Sequence, residues 1–146
     1  MSILSKTILA GLVATAAMTV LMIMAPMMGM PKMNIGAMLG GMMGMSATVG
    51  WVMHFIIGVI FALGYTYVIG NKLPIQSPLV RGMVYGFIVF VVAQVMMFIM
   101  GSMGMMPAPS GDATMAMIGS LMGHLVYGAV LGAMVGTVAA SSHAHN

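Results

Sequence analysis

Two histidines open matched patterns of the form His-x-x-x-Gly-x-x-x-small: His54, Gly58 and Ala62 in one stretch, and His124, Gly128 and Gly132 in another. Four-residue spacing puts each trio on one face of a helix. An imidazole offers one acceptor nitrogen and one donor, so a matched pair can hydrogen-bond, ligate a soft metal, or supply both axial nitrogens of a b-type haem. Thr19 and Gln94 stand in comparable places on the preceding apolar stretches. Four polar side chains can therefore meet at one level, and polar side chains that face a bundle interior in lipid mark a functional site by default. Without a ligand, the expected pairs are His54 with Thr19 and His124 with Gln94, as interhelical hydrogen bonds.

The second chemical resource is sulfur. The chain holds 24 methionines and no cysteine. Pairs at Met-x-x-x-Met spacing (Met18/Met22, Met24/Met28, Met38/Met42, Met96/Met100) are no commoner than chance gives at this frequency, and methionine is first of all a flexible core filler. Distribution says more. Eighteen of the 24 fall in the windows Met22 to Met45 and Met96 to Met117, the ends of two apolar stretches and the loops after them. Thioether and imidazole without carboxylate form a soft ligand set, suited to Cu(I) rather than Zn²⁺, Mg²⁺ or Mn²⁺. Met28, Met30, Met103 and Met105 are the expected capture ligands, with His54 and His124 as inner ligands. The bland reading is an adaptable hydrophobic surface. His143 and His145, in SSHAHN, offer a weak chelate and read as solvated.

Much other chemistry is excluded. Asp112 is the only carboxylate side chain, which removes paired-carboxylate hydrolysis, hard-cation cages and acidic proton relays. The absence of cysteine removes thiolate zinc, iron–sulfur clusters and disulfides. No nucleophile–base pair can be built, so an enzyme is not expected. Lys6, Lys32, Lys72 and Arg81 are too few and scattered for nucleic acid.

The elements that must position these residues are membrane helices. With 62% hydrophobic and 3% charged residues among 146, the chain cannot cover a globule with polar surface. Four apolar stretches, Thr7 to Met28, Val49 to Ile69, Val80 to Met100 and Met115 to Val138, have the roughly 20 residues a span needs. The runs are continuous rather than alternating, which excludes a barrel. The first run passes well beyond Ala14 to Ala17, so an uncleaved span is expected rather than a signal peptide. Lys6, Lys72 and Arg81 flank one side, placing both termini in the cytoplasm of an inner-membrane protein. Trp51 would then anchor the outer interface, and Tyr65, Tyr67 and Tyr85 would lie near the inner one. Gly29 to Thr48 reads as a loop with an interfacial or re-entrant turn.

The matched motifs make this an all-α integral membrane protein of two tandem helical hairpins related by a parallel pseudo-two-fold axis. Residues 1–146 form a single transmembrane domain, with repeat 1 about 7–69, repeat 2 about 80–138 and a short polar tail at 139–146. Gly58/Ala62 and Gly128/Gly132 are expected to let helices approach closely. That use bears on haem, which needs backbones roughly 12 Å apart at the histidines, whereas packed helices stand about 8 to 10 Å apart. The glycines either meet another helix or make room for a porphyrin edge, and the sequence leaves both open.

Three segments, MAPMMGMPKMN (Met24 to Asn34), GWVMHFIIGVIFALGY (Gly50 to Tyr65) and GSLMGHLVYGAVLG (Gly119 to Gly132), carry the motifs MMGMP and GWxxHFxxG. In combination they resemble a family of small, uncharacterised four-helix membrane proteins of bacteria and archaea, from about Ile8 to Gly136. The resemblance implies a polytopic membrane protein and leaves its chemistry open. The leading expectation is therefore Cu(I) binding or transport. The alternatives are a haem b electron carrier with His54 and His124 as axial ligands, or a structural subunit without cofactor. Partners are the lipid bilayer and, beyond it, a second copy or a larger membrane complex.

Overall fold

Local chemistry sets the helix boundaries. The computed structural model describes residues 2–106 and 111–143, with side chains through Gly136. Helix α1 spans Ile3–Met24, with the Ser2 hydroxyl accepting the Ser5 N–H at 3.2 Å. Pro26 starts a 3₁₀ turn, Ala25–Met28, which Gly29 ends at φ 85°, a left-handed value suited to glycine. A short helix α2, Ile35–Met42, follows under an Asn34 cap. Helix α3 spans Ala47–Gly64 and continues through a π-helical turn, Tyr65–Ile69, and a 3₁₀ turn, Gly70–Lys72. Helix α4, Pro78–Ser102, opens with Pro at its first position behind a Ser77 cap. Helix α5 spans Ala113–His143, and the Asp112 carboxylate accepts the Thr114 and Met115 amides at 2.8 and 3.3 Å. The one acid in the chain thus serves as a helix cap.

The fold is all-helical among the described residues, and four of its helical segments are long and apolar enough to cross a membrane: Ile3–Met28, Ala47–Lys72, Pro78–Ser102 and Ala113–Gly136. This fits an integral membrane protein. Large apolar side chains such as Ile23, Ile60 and Phe98 point outward. α2 is the element added to the expected four: Gly36 and Gly40 abut the backbone of residues 46–50, and Gly50 lies against the Gly36 carbonyl. The first loop therefore holds a short helix seated on the start of α3. α5 runs on through His143, whereas residues 144–146, His145 among them, and the His143 side chain lie outside the described residues.

Helices alternate in direction, and small residues set their seams. α3 lies on α1 with Ala62 against Gly11 and Gly58 against Thr15. α5 lies on α4 with Gly132 against Gly82 and Gly128 against Gly86. α5 also packs on α1, but α3 and α4 have no comparable seam. They meet where the Tyr85 hydroxyl donates to the Phe61 carbonyl at 2.7 Å and the Tyr65 and Tyr85 rings stand 5.1 Å apart. Tyr65 and Tyr85 are buried within the bundle, whereas Tyr67 is exposed. A buried hydroxyl needs a partner, and the Phe61 carbonyl supplies one inside the bundle for Tyr85. Trp51 is half-buried against Gly36 of α2.

Candidate functional site

The helix seams fix what the histidines can reach. Gly11 is to Ala62 what Gly82 is to Gly132, and Thr15 is to Gly58 what Gly86 is to Gly128. On that register the counterpart of Thr19 is Phe90, not Gln94. The contacts agree: His54 Nε2 is 3.2 Å from the Thr19 hydroxyl, whereas the His124 ring meets the Phe90 ring edge-on at 5.9 Å. Gln94 lies one turn farther along and donates to the Ser120 hydroxyl at 3.3 Å. The expected His124–Gln94 pair is thereby corrected to a Gln94–Ser120 pair.

Each histidine's tautomer follows from its partner. The Thr19 hydroxyl lies closer to the Thr15 carbonyl, at 2.8 Å, than to His54 Nε2, at 3.2 Å, and giving its one hydrogen to the carbonyl leaves its oxygen to accept from His54. His54 therefore carries its proton on Nε2, and Nδ1 keeps a lone pair. His124 Nδ1 lies 2.7 Å from the Ser120 carbonyl, an acceptor only, so its proton is on Nδ1 and the lone pair on Nε2. Neither lone-pair nitrogen has a hydrogen-bond partner among the described residues. Nor is either sealed away, because no polar side-chain atom there is both buried and unpartnered.

Both histidines line a cavity of about 450 Å³ in the α2-end half of the bundle. Tyr127 also lines it, and its hydroxyl donates to the Gly58 carbonyl at 2.6 Å. Exposed Ile60, Val92 and Met96 lie on its rim, so it opens sideways between α3 and α4, where the close seam is missing. Its sulfur comes from Met18 and Met22 on α1, Met33 before α2, Met38 and Met42 on α2, and Met96, Met97 and Met100 on α4.

None of the four expected capture ligands lines it. Met103 and Met105 are exposed in the α4–α5 connection, 67% and 43% accessible, and border neither cavity. Met28 and Met30 line a separate, much smaller space near the start of α5. Left-handed glycines, Gly29 at φ 85° and Gly104 at φ 70°, stand between the members of each pair. Nor do the motif glycines make room for a porphyrin edge. Gly58 and Ala62 are taken up by α1, and Gly128 and Gly132 by α4.

A family model matches residues 1–146. The chain belongs to DUF6789, a family of unknown function. No curated protein and no solved structure matches it.

In this DUF6789 protein no three His, Cys, Asp or Glu side chains converge among the described residues. A metal held by the two imidazoles would complete its shell with thioethers. Sequence reasoning missed Thr15, Ser120 and Tyr127 at the site. Ser120 was legible as the residue four before His124, and Thr15 and Met18 as neighbours of Thr19 and Met22 on one face of α1.

Proposed function

We propose that this protein binds or transports a soft monovalent metal, Cu(I), without catalysing a reaction, using His54 Nδ1 and His124 Nε2 as nitrogen ligands. One observation carries the reading: two histidines line the same cavity, and each is held through one ring nitrogen by another protein group while its second nitrogen has no protein partner. Metal-binding histidines are commonly oriented this way, the second nitrogen donating to a carbonyl or other acceptor. Thioethers, Met18 and Met22 nearest the packed core, complete a soft shell. A single positive charge suits a site with no carboxylate to offset it, since burying a divalent ion among neutral ligands costs far more. The sideways mouth and four membrane-length helices support an ion handled within the bilayer, in a proposed inner-membrane placement with both termini cytoplasmic. Haem is disfavoured because helices occupy the glycine faces it would need.

The test is Cu(I) stoichiometry of the purified protein against a competing chelator. The variant His54→Ala/His124→Ala is expected to bind one equivalent less than the wild type, with helix content unchanged by circular dichroism. Equal copper retention by the folded double variant would overturn the assignment.

A further inference from the structure

The smaller space beside the histidine cavity is lined by six thioethers. Met22 comes from the end of α1, Met28 from the 3₁₀ turn, Met30 and Met33 from the stretch before α2, and Met115 and Met122 from the first turns of α5. Its free volume is about 10 Å³. That is roughly the room one water-sized sphere occupies, but a water needs two to four polar partners, and the walls are methionine, leucine, alanine, proline and glycine. The turn after α1 brings Met28 and Met30 to the first turns of α5. Gly29, at φ 85°, reverses the chain between Met28 and Met30, and the Met30 amide donates to the Ala25 carbonyl at 3.2 Å. Met30 Sδ then rests on α5 at Gly119, where a Cβ would stand only 3.3 Å from it.

We propose that these methionines form a second soft-metal site, an all-thioether seat for one Cu(I)-class ion. Neutral thioethers favour soft, monovalent d¹⁰ ions and reject hard divalent ones. No carboxylate reaches this wall, the Asp112 oxygen being held by the Thr114 and Met115 amides. Met22 and Met33 line this space and the histidine cavity alike. An ion can therefore pass between the two by exchanging one thioether for another, without release to solvent. The all-thioether seat receives the ion at the α2 end, and the mixed nitrogen–sulfur site accepts it deeper in the bundle. The ligand class rests on the copper reading above, but this site stands on its own residues.

Ag(I), a redox-inert stand-in for Cu(I), separates the two. Purified full-length protein in detergent is titrated with Ag(I), bound metal is counted by mass spectrometry, and its neighbours are read by X-ray absorption. Wild type is expected to hold two equivalents, and His54→Ala/His124→Ala one, with a sulfur-only shell. The variant Met28→Leu/Met30→Leu/Met115→Leu/Met122→Leu, which keeps packing volume, is expected to lose one equivalent and keep one that has nitrogen neighbours. Wild-type stoichiometry in that variant would overturn the second site, as would a wild type holding only what the histidine variant loses; the histidine reading would then stand alone. The converse, with silver lost from the leucine variant and fully kept by the histidine variant, would uphold the thioether site and remove the histidine one. Should the leucine variant not fold, the shell in the histidine variant decides: nitrogen or oxygen neighbours there overturn the proposal.

Discussion

The two hairpins carry the same motif, yet they hold their histidines by different means. In the first, the His54 N–H goes to a hydroxyl on another helix, Thr19, itself tied to the Thr15 carbonyl. In the second, the His124 N–H goes back to its own helix at the Ser120 carbonyl. The difference comes from the facing helix, where Phe90 stands in the place that Thr19 takes in α1. A phenyl ring offers no conventional acceptor, so the imidazole turns to its own backbone. Opposite ring nitrogens are left free as a result, Nδ1 in one hairpin and Nε2 in the other. The repeat thus fixes where the helices touch, while single side chains decide what each histidine presents. A second asymmetry follows the same logic: α5 packs along α1, its counterpart α3 forms no comparable seam with α4, and the cavity opens there.

The seams of the two hairpins differ in how much they can yield, and this gives the largest expected effect. A Cβ at Gly86 would meet the His124 carbonyl and stand 3.2 Å from the Gly128 Cα, backbone that cannot rotate away. A Cβ at Gly58 would meet the Thr15 hydroxyl and stand 3.1 Å from the Thr15 Cβ, so this seam yields only if Thr15 gives up its 2.7 Å bond to the Gly11 carbonyl. Gly86→Ala should destabilise the fold by about 3 kcal/mol and Gly58→Ala by about 2 kcal/mol, within the usual overpacking range. Unfolding midpoints in graded detergent mixtures measure both, and equal losses would contradict this account of the seams.

The histidine supports come next. Thr19→Val removes the acceptor that orients His54, and a lost supporting partner typically costs about 10- to 100-fold in metal affinity. Ser120→Ala leaves the carbonyl that holds His124 and should change affinity by less than about threefold, the smallest effect here, because the hydroxyl lies 3.5 Å from Nδ1. Chelator competition gives both numbers. A larger loss in Ser120→Ala than in Thr19→Val would show that the two imidazoles are not held as described.

Periodicity and composition made the helices and their antiparallel order legible, because lipid leaves little choice to runs as apolar as these. The His54–Thr19 pair was legible for the same reason, being set by the packed face that Gly58 and Ala62 define. The partner of His124 was not. Aligning the repeats on their methionine-rich ends pairs Thr19 with Gln94, whereas the Gly11/Gly82 contacts place Gln94 a turn too far along. Small residues at the seams carried the true register, and methionine-rich ends, free to vary outside the packing, did not. The methionines illustrate the same limit. Met28 and Met30 looked equivalent to Met103 and Met105, but the Gly29 turn lays the first pair beside α5 while the second pair faces outward. The inner thioethers, Met18 and Met22, were hidden among ordinary helix-core positions.

Nitrogen-15 NMR of histidine-labelled protein tests the ligand assignment most directly, with His143→Ala/His145→Ala used to remove the two remaining signals. Metal-free protein should show His54 as the Nε2–H tautomer and His124 as the Nδ1–H tautomer. On adding Ag(I) to saturation, His54 Nδ1 and His124 Nε2 should both shift strongly while the other two nitrogens stay protonated. Unshifted lone-pair nitrogens at saturation, or the reverse pair of tautomers, would contradict the account.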